Sequence, residues 1–204
     1  KYLYDVHPSA ISIPDSSGNS PLHYACQSKT SSYSAQITNF LISRNPETVS
    51  VARDKDGALP LHLAIIQEAS ESTIMKLLSR YPQGASVAMK DYQGMLPLHL
   101  ACKHGMNSQI VEELVRLFPD GPKRTTKEPN KSLPLHLACQ YRAHYTIIRK
   151  LMTVYPEGVS QKDGYGCYPL HYIVNCHTDK TVLRVLDAFP EAACEIQGDG
   201  IPLH

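Results

Sequence analysis

The sequence predicts an all-α repeat solenoid, in which helix-turn-helix units stack side by side through turn or hairpin-like connections. The heptapeptide LPLHLAC at 96–102 returns letter for letter at 133–139. Its core, Pro-Leu-His, starts at 21, 60, 97, 134, 169 and 202, with steps of 39, 37, 37, 35 and 33 residues. An apolar stripe closed by a residue-Pro pair follows the first five copies, at Asn45-Pro46, Tyr81-Pro82, Phe118-Pro119, Tyr155-Pro156 and Phe189-Pro190. A period between 20 and 50 residues signals one structural unit used many times.

The unit from Asp91 to about Lys127 shows why each element forms. Asp91-Tyr92-Gln93-Gly94 is a turn cluster, since Gly accepts positive φ and Asp bonds back to the following backbone. Pro97 opens a short helix, LHLACKH, because Pro at the first helical position loses no needed hydrogen bond. His104-Gly105 ends it, and Ser108 is the expected N-cap of a second helix, QIVEELVRLF. Ile110, Val111, Leu114, Val115 and Phe118 give that helix one apolar face, and Pro119 stops it while Gly121 helps the chain turn back.

The same grammar predicts stripes at Ile37, Phe40 and Leu41; Ile74, Leu77 and Leu78; Ile147, Ile148, Leu151 and Met152; and Val182, Leu183, Val185 and Leu186. Neither helix of a unit is long enough to stand alone in water, so stability should come from neighbour on neighbour. The expected organisation is a single array over 1–204, with full repeats from the motifs at 21, 60, 97, 134 and 169 and partial repeats at 1–14 and 197–204. Val6-His7-Pro8 reads as the end of a second helix, and neither terminus reads as a polar cap, as in a window on a longer array.

Lys and Arg number 20 against 19 Asp and Glu, a formal charge of +1, which gives no long-range pull toward nucleic acid or anionic membrane. No apolar run approaches the roughly 18–20 residues of a membrane helix. Cys26, Cys102 and Cys139 share one slot in three repeats. Helices that pack about 8–10 Å apart hold such thiols beyond the roughly 7 Å reach of a disulfide, so they read as small apolar packers in a reducing compartment, cytoplasmic or nuclear. His and Cys at i and i+3 (His23/Cys26, His99/Cys102, His136/Cys139) could face one metal ion, but each repeat has one such pair and the second replaces Cys with Ile65. No metal site and no cofactor are expected.

Turn, PLH helix, second helix and return loop together resemble the ankyrin repeat, whose pattern runs D-x-x-G-x-T-P-L-H-x-A. Asp91, Gly94, Pro97, Leu98, His99 and Ala101 match it, as do Asp54, Gly57, Pro60, Leu61, His62 and Ala64, and Asp15, Gly18, Pro21, Leu22, His23 and Ala25. The family's Thr before Pro is here Ser20, Leu59, Leu96, Leu133, Tyr168 and Ile201, which implies greasier packing around the histidine. Extra length falls between the helices, as in QSKTSSYSAQ at 27–36, expected as a long mobile connection. The fourth turn carries Glu128 and Lys131 where Asp and Gly are expected.

The resemblance implies a non-catalytic scaffold that grips a partner protein on a concave face of turn tips and first-helix ends. The alternatives are a regulatory or targeting region of a larger enzyme, kinase or channel, and an architectural subunit of a large assembly. Carried over position by position, the contact candidates are Lys55, Asp56, Tyr92, Gln93, Met95, Lys103, His104, Gln140, Tyr141 and Tyr165. Exposed Tyr and Met are enriched at interfaces. His23, His62, His99, His136 and His171 are assigned a structural role, each bonding neighbouring backbone and bridging repeats. Because every motif histidine belongs to that series, no convergent Ser-His-Asp cluster is expected, nor a small-molecule substrate. The basic loop holding Lys123, Arg124, Lys127 and Lys131 is one loop rather than a stripe, so it reads as a solubilising loop or a contact for an acidic protein patch, not as a nucleic-acid site.

Overall fold

The computed structural model describes residues 7–28, 32–176, 179–188 and 190. Among them the regular structure is helical and no strand occurs. The helices are α1 (Pro21–Gln27), α2 (Ser32–Arg44), α3 (Pro60–Ile66), α4 (Glu71–Arg80), α5 (Pro97–Lys103), α6 (Ser108–Leu117), α7 (Pro134–Gln140), α8 (Tyr145–Val154), α9 (Pro169–Cys176) and α10 (Asp179–Ala188). The chain divides into two compact units, 1–100 and 101–204.

Each first helix begins at the Pro of the PLH motif. Each described second helix from α2 to α8 ends at a residue held extended by the next proline: Asn45 (φ −142, ψ 87), Tyr81 (φ −139, ψ 78), Phe118 (φ −135, ψ 83) and Tyr155 (φ −138, ψ 79). The proline ring disfavours helical backbone one residue earlier, so the stop is written locally. His7 has the same geometry (φ −135, ψ 75) ahead of a 3-10 turn at Pro8–Ile11. Such turns also follow at Pro46–Ser50, Pro82–Ser86 and Pro156–Ser160, with a shorter one at Gly121–Lys123.

In the first unit, α1 packs on α3, each first helix packs on its own second helix, and α2 lies against α4. Leu22, Ile42, Leu61, Ile65, Ile74, Leu77 and Leu78 form its interior. In the second unit, α7 packs on α9, α7 on α8, α9 on α10, and α6 on α8, enclosing Ile110, Val111, Leu114, Leu135, Ile147, Leu151 and Leu170. Each such side chain contributes about 1.5–3 kcal/mol by leaving water. Cys26, Cys102 and Cys139 are buried among them as free thiols, with those of Cys26 and Cys102 pushed up to about 12 by burial.

Several expectations need correction. Residues 32–36 are helical turns of α2 rather than a mobile connection. The α2 stripe is Thr38, Leu41 and Ile42, while Ile37 is exposed. The residues in its register later, Thr73, Ile110 and Ile147, are buried. Within the units, α4 lies against the preceding α2 and α8 against the preceding α6, and among the described residues α2 has no second helix before it. Leu183 is likewise exposed, because its register is the outward one held by Glu112 in α6 and Arg149 in α8. The cap of α6 is Asn107, whose Oδ1 accepts from the backbone N–H of Ile110 at 3.0 Å, one residue before the expected Ser108. The readings for 1–6, 177–178, Phe189 and the sixth motif at 202 fall outside the described residues.

The first helices end in a recurrent left-handed turn, occupied by Glu68 (φ 53), Gly105 (φ 63) and Arg142 (φ 57). The next N–H then reaches back to the helix, from Ala69 to Ala64 (2.8 Å), Met106 to Ala101 (3.0 Å) and Ala143 to Ala138 (2.9 Å). Left-handed backbone penalises a Cβ by about 1–2 kcal/mol, partly offset by glycine's greater unfolded entropy. Arg142→Gly is therefore expected to raise unfolding free energy by about 0.5–1 kcal/mol and Gly105→Ala to lower it by a similar amount, read by urea denaturation.

Candidate functional site

Each repeat opens with a tip closed by one backbone hydrogen bond of 3.0 Å: Asp15 N–H to Asn19 O, Arg53 to Ala58, Met89 to Met95, Thr126 to Ser132, and Asp163 to Cys167. The enclosed loop is short in the first and last of these and longer in the third and fourth. Asp15 and Asp163 organise their tips identically. Asp15 Oδ1 accepts from the N–H groups of Ser17 (2.9 Å) and Asn19 (2.8 Å), and Asp163 Oδ1 from those of Tyr165 (2.9 Å) and Cys167 (3.0 Å). The other oxygen accepts a tyrosine hydroxyl at 2.6 Å, from Tyr24 on α1 and Tyr172 on α9. That hydroxyl, with the Asn19 N–H, draws the Asp15 carboxyl down to about 2. The Asp-to-Tyr spacing of nine residues was the signal for this latch, and sequence reading missed it. Leu63, Leu100 and Leu137 fill the tyrosine's register in the other repeats and are buried.

Successive tips touch within each unit. Lys90 N–H donates to Asp56 O at 2.8 Å, and Gly164 N–H donates to Asn130 O at 2.6 Å. Tyr165 Oη donates to Asn130 Oδ1 at 2.9 Å, so this ring, 56% exposed, is held at its far end by the neighbouring tip. At the first-helix ends, Lys103 Nζ stands 5.6 Å from the ring centre of Tyr141, itself 44% exposed.

Beneath each tip sits a motif histidine. The backbone N–H of the residue before Pro donates to its Nδ1: Ser20 to His23 (3.1 Å), Leu59 to His62 (2.9 Å), Leu96 to His99 (3.2 Å), Leu133 to His136 (3.2 Å) and Tyr168 to His171 (2.9 Å). The ring itself therefore caps the helix, which frees the preceding position to be leucine. With Nδ1 accepting, the proton resides on Nε2, which donates to Ala58 O from His23 (3.2 Å), to Val87 O from His62 (3.0 Å), and to Gln161 O and Cys167 O from His136 (both 3.1 Å). His23 and Ala58 belong to adjacent repeats, as do His136 and Cys167.

Burial lowers the pKa of His23, His62 and His136, that of His62 to about 4. Between about 4 and the unfolded value near 6.5, the unfolded chain binds the proton and the folded chain does not. Stability is thus complete above about pH 6.5 and declines as pH falls toward 4, with His62 alone contributing a loss of about 3 kcal/mol. Urea midpoints should fall steadily from pH 7 to pH 4.5.

Of the sequence-predicted contact residues, Lys55, Gln140, Tyr92, Tyr141 and Tyr165 are exposed, whereas Gln93, Lys103 and His104 are half-buried. Tyr92 is 52% exposed and sits, with Gln93, in left-handed backbone at the third tip. Two candidates lie inside. Asp56 is 4% exposed; its carboxylate pairs with Arg53 (Nε–Oδ1 2.6 Å) and accepts the Ala58 N–H at 3.0 Å. Met95 is 5% exposed because it accepts the bond that closes its tip and turns its side chain into the core, as Ala58, Ser132 and Cys167 do. Neither is surface for a partner. Lys131 takes the place of the expected glycine at φ 44 and pairs with Glu128. Among the described residues, no group of three or more His, Cys, Asp or Glu side chains could hold a metal ion, and no helix is long and apolar enough to cross a membrane.

Paired helices joined by hairpin tips and tied together by capping histidines define a helical-repeat protein whose side-chain chemistry is spent on its own packing. A family model described as ankyrin repeats (3 copies) matches residues 30–124, 68–157 and 98–197. The chain belongs to the ankyrin-repeat family, whose repeats generally mediate protein–protein interaction and are typically non-catalytic. No curated protein matches it in sequence. Among solved structures, it is similar to one chain in the structure of the complex between the Bd0816 predatory endopeptidase from Bdellovibrio bacteriovorus and immunity protein Bd3460, at 16% identity and a TM-score of 0.71, with 90% of this chain and 89% of that one covered. That likeness concerns the fold.

Proposed function

We propose that the chain is a non-catalytic scaffold that binds a partner protein on the face formed, within each unit, by the tips and first-helix ends. The observation that carries this reading is that large amphipathic rings are both exposed and held: Tyr165 by Asn130 of the preceding tip, and Tyr141 beneath Lys103. An immobilised tyrosine covers apolar area on a partner while losing little further side-chain freedom, which is the profile of an interface hot spot. The general role of the family's repeats in protein–protein interaction, and the presence of the fold neighbour in a protein–protein complex, support the same reading. The deep burial of the described thiols and of His23, His62, His99 and His136 leaves those groups unable to reach a substrate.

The test is affinity capture with the intact chain, repeated after Tyr92, Tyr141 and Tyr165 are changed to Ala. Each substitution at a true hot spot should weaken the recovered complex by about 2 kcal/mol, with unchanged melting. Undiminished recovery from the triple variant removes this face from consideration.

A further inference from the structure

We propose that the second unit carries a docking surface for an acidic, extended segment of a partner protein, on its tips and first-helix ends. This rests on the reading above and narrows it to one partner chemistry.

The carboxylates of this unit are sorted by element, whereas cations occur on the second helices (Arg116, Arg149, Lys150) as well as on the tips and first-helix ends. Its first-helix ends present Lys103, stacked over Tyr141, and the exposed Arg142 beside it. The left-handed turn fixes the direction in which Arg142 leaves the helix. The tip of the fourth repeat carries Lys127 and Lys131, and Lys162 precedes the fifth tip, its Nζ 5.1 Å from the ring centre of Tyr168. Among the described residues only two carboxylates lie on the same elements, and both are engaged. Glu128 is paired with Lys131, while Asp163 is buried and occupied by two backbone N–H groups and the Tyr172 hydroxyl. Glu112, Glu113, Asp120, Glu157 and Asp187 belong to the second helices or the return turns that follow them.

The segregation is particular to this unit. In the first unit the register of Arg142 is held by Glu68, and the tips expose Asp54 and Asp91 alongside Lys55. A cationic face with fixed aromatic rings complements carboxylates separated by apolar residues, and complementarity of this kind selects partners more than it adds raw affinity. Packed helices step by about 8–10 Å, close to one turn of an extended polyproline-II chain (three residues at roughly 3.1 Å each), which returns every third side chain to the same face, so an acidic residue at every third position meets successive repeats. Cations with aromatics could also take single-stranded nucleic acid, but the chain as a whole carries a formal charge of only +1, far from the field that backbone phosphates call for.

The whole chain is titrated, by fluorescence anisotropy, with a labelled peptide of about 15 residues bearing Glu at every third position between Gly and Leu. The same peptide with Lys for Glu, and a thymidine strand of about 15 nucleotides, are run beside it. The acidic peptide is expected to bind saturably and to weaken several-fold as salt rises from about 50 to 200 mM, while the basic peptide does not bind. Arg142→Glu should weaken it at least about fivefold and K103E/R142E should abolish binding, whereas Arg149→Glu, the same charge change on α8, stays within about twofold. Arg142→Gln replaces Arg142→Glu if melting shows the latter misfolded. The proposal is overturned by absent saturable binding, by equal losses in the Arg142 and Arg149 variants, or by tighter binding of the thymidine strand. If these occur while partner capture still depends on the tyrosines, the acidic class fails and the broader reading stands; if capture is also indifferent to them, both fall.

Discussion

His62→Ala is expected to lower unfolding free energy by about 3–5 kcal/mol, the largest single effect foreseen here. The ring is fully buried and both nitrogens are used, Nδ1 accepting from the Leu59 N–H at 2.9 Å and Nε2 donating to Val87 O at 3.0 Å. Removing it strands a buried donor and a buried acceptor, each costing about 1–3 kcal/mol, and leaves a cavity among packed side chains. His62→Leu restores volume but not the bonds, so it should recover only part of the loss. A histidine whose role were metal binding would predict a different signature, sensitivity to chelator with little change in a metal-free urea midpoint. The decline between pH 6.5 and 4 should be shallower in His62→Ala, because that ring's contribution is then missing from both ends of the titration.

Gly164→Ala should cost about 2–4 kcal/mol although the residue is exposed. A Cβ built there would lie 1.7 Å from Pro129 O, a backbone atom that cannot rotate away. The fourth and fifth tips would have to separate, breaking the 2.6 Å bond from Gly164 N–H to Asn130 O and releasing the Tyr165 hydroxyl. The substitution therefore couples stability to the proposed surface: the urea midpoint falls, and Tyr165 loses its anchor. Gly166→Ala is the contrast, since nothing lies within 4 Å of its Cβ and only its φ of +78 penalises it. If the two variants melt alike, contact between tips is not what holds the fourth and fifth repeats in register.

Much of the fold was legible because its punctuation is local. Pro97 or Pro134 starts a helix, and Pro82 or Pro156 ends one a residue upstream, through sterics that involve only adjacent residues. Stripes such as Ile74, Leu77 and Leu78 announce a buried face by spacing alone. The candidate surface was legible in part. Tyr141 and Tyr165 were found from their positions in the repeat, and the same register puts Asn130 at a tip, but its hold on Tyr165 carries no sequence signal because that contact spans 35 residues.

The sequence by itself determined where helices begin and end, which residues form tips, and the series to which each histidine belongs, because period and backbone sterics act over a few residues. Tertiary structure alone decided which tip residues face water and which face inward. Asp56 and Met95 sit beside Lys55 and Tyr92 in the motif yet are buried, since the residue that closes each hairpin, or pairs with Arg53, is chosen by loop length and long-range hydrogen bonds. Ile37 and Thr38 exchange roles for the same kind of reason: a side chain's burial is settled by whether a neighbouring helix lies against it.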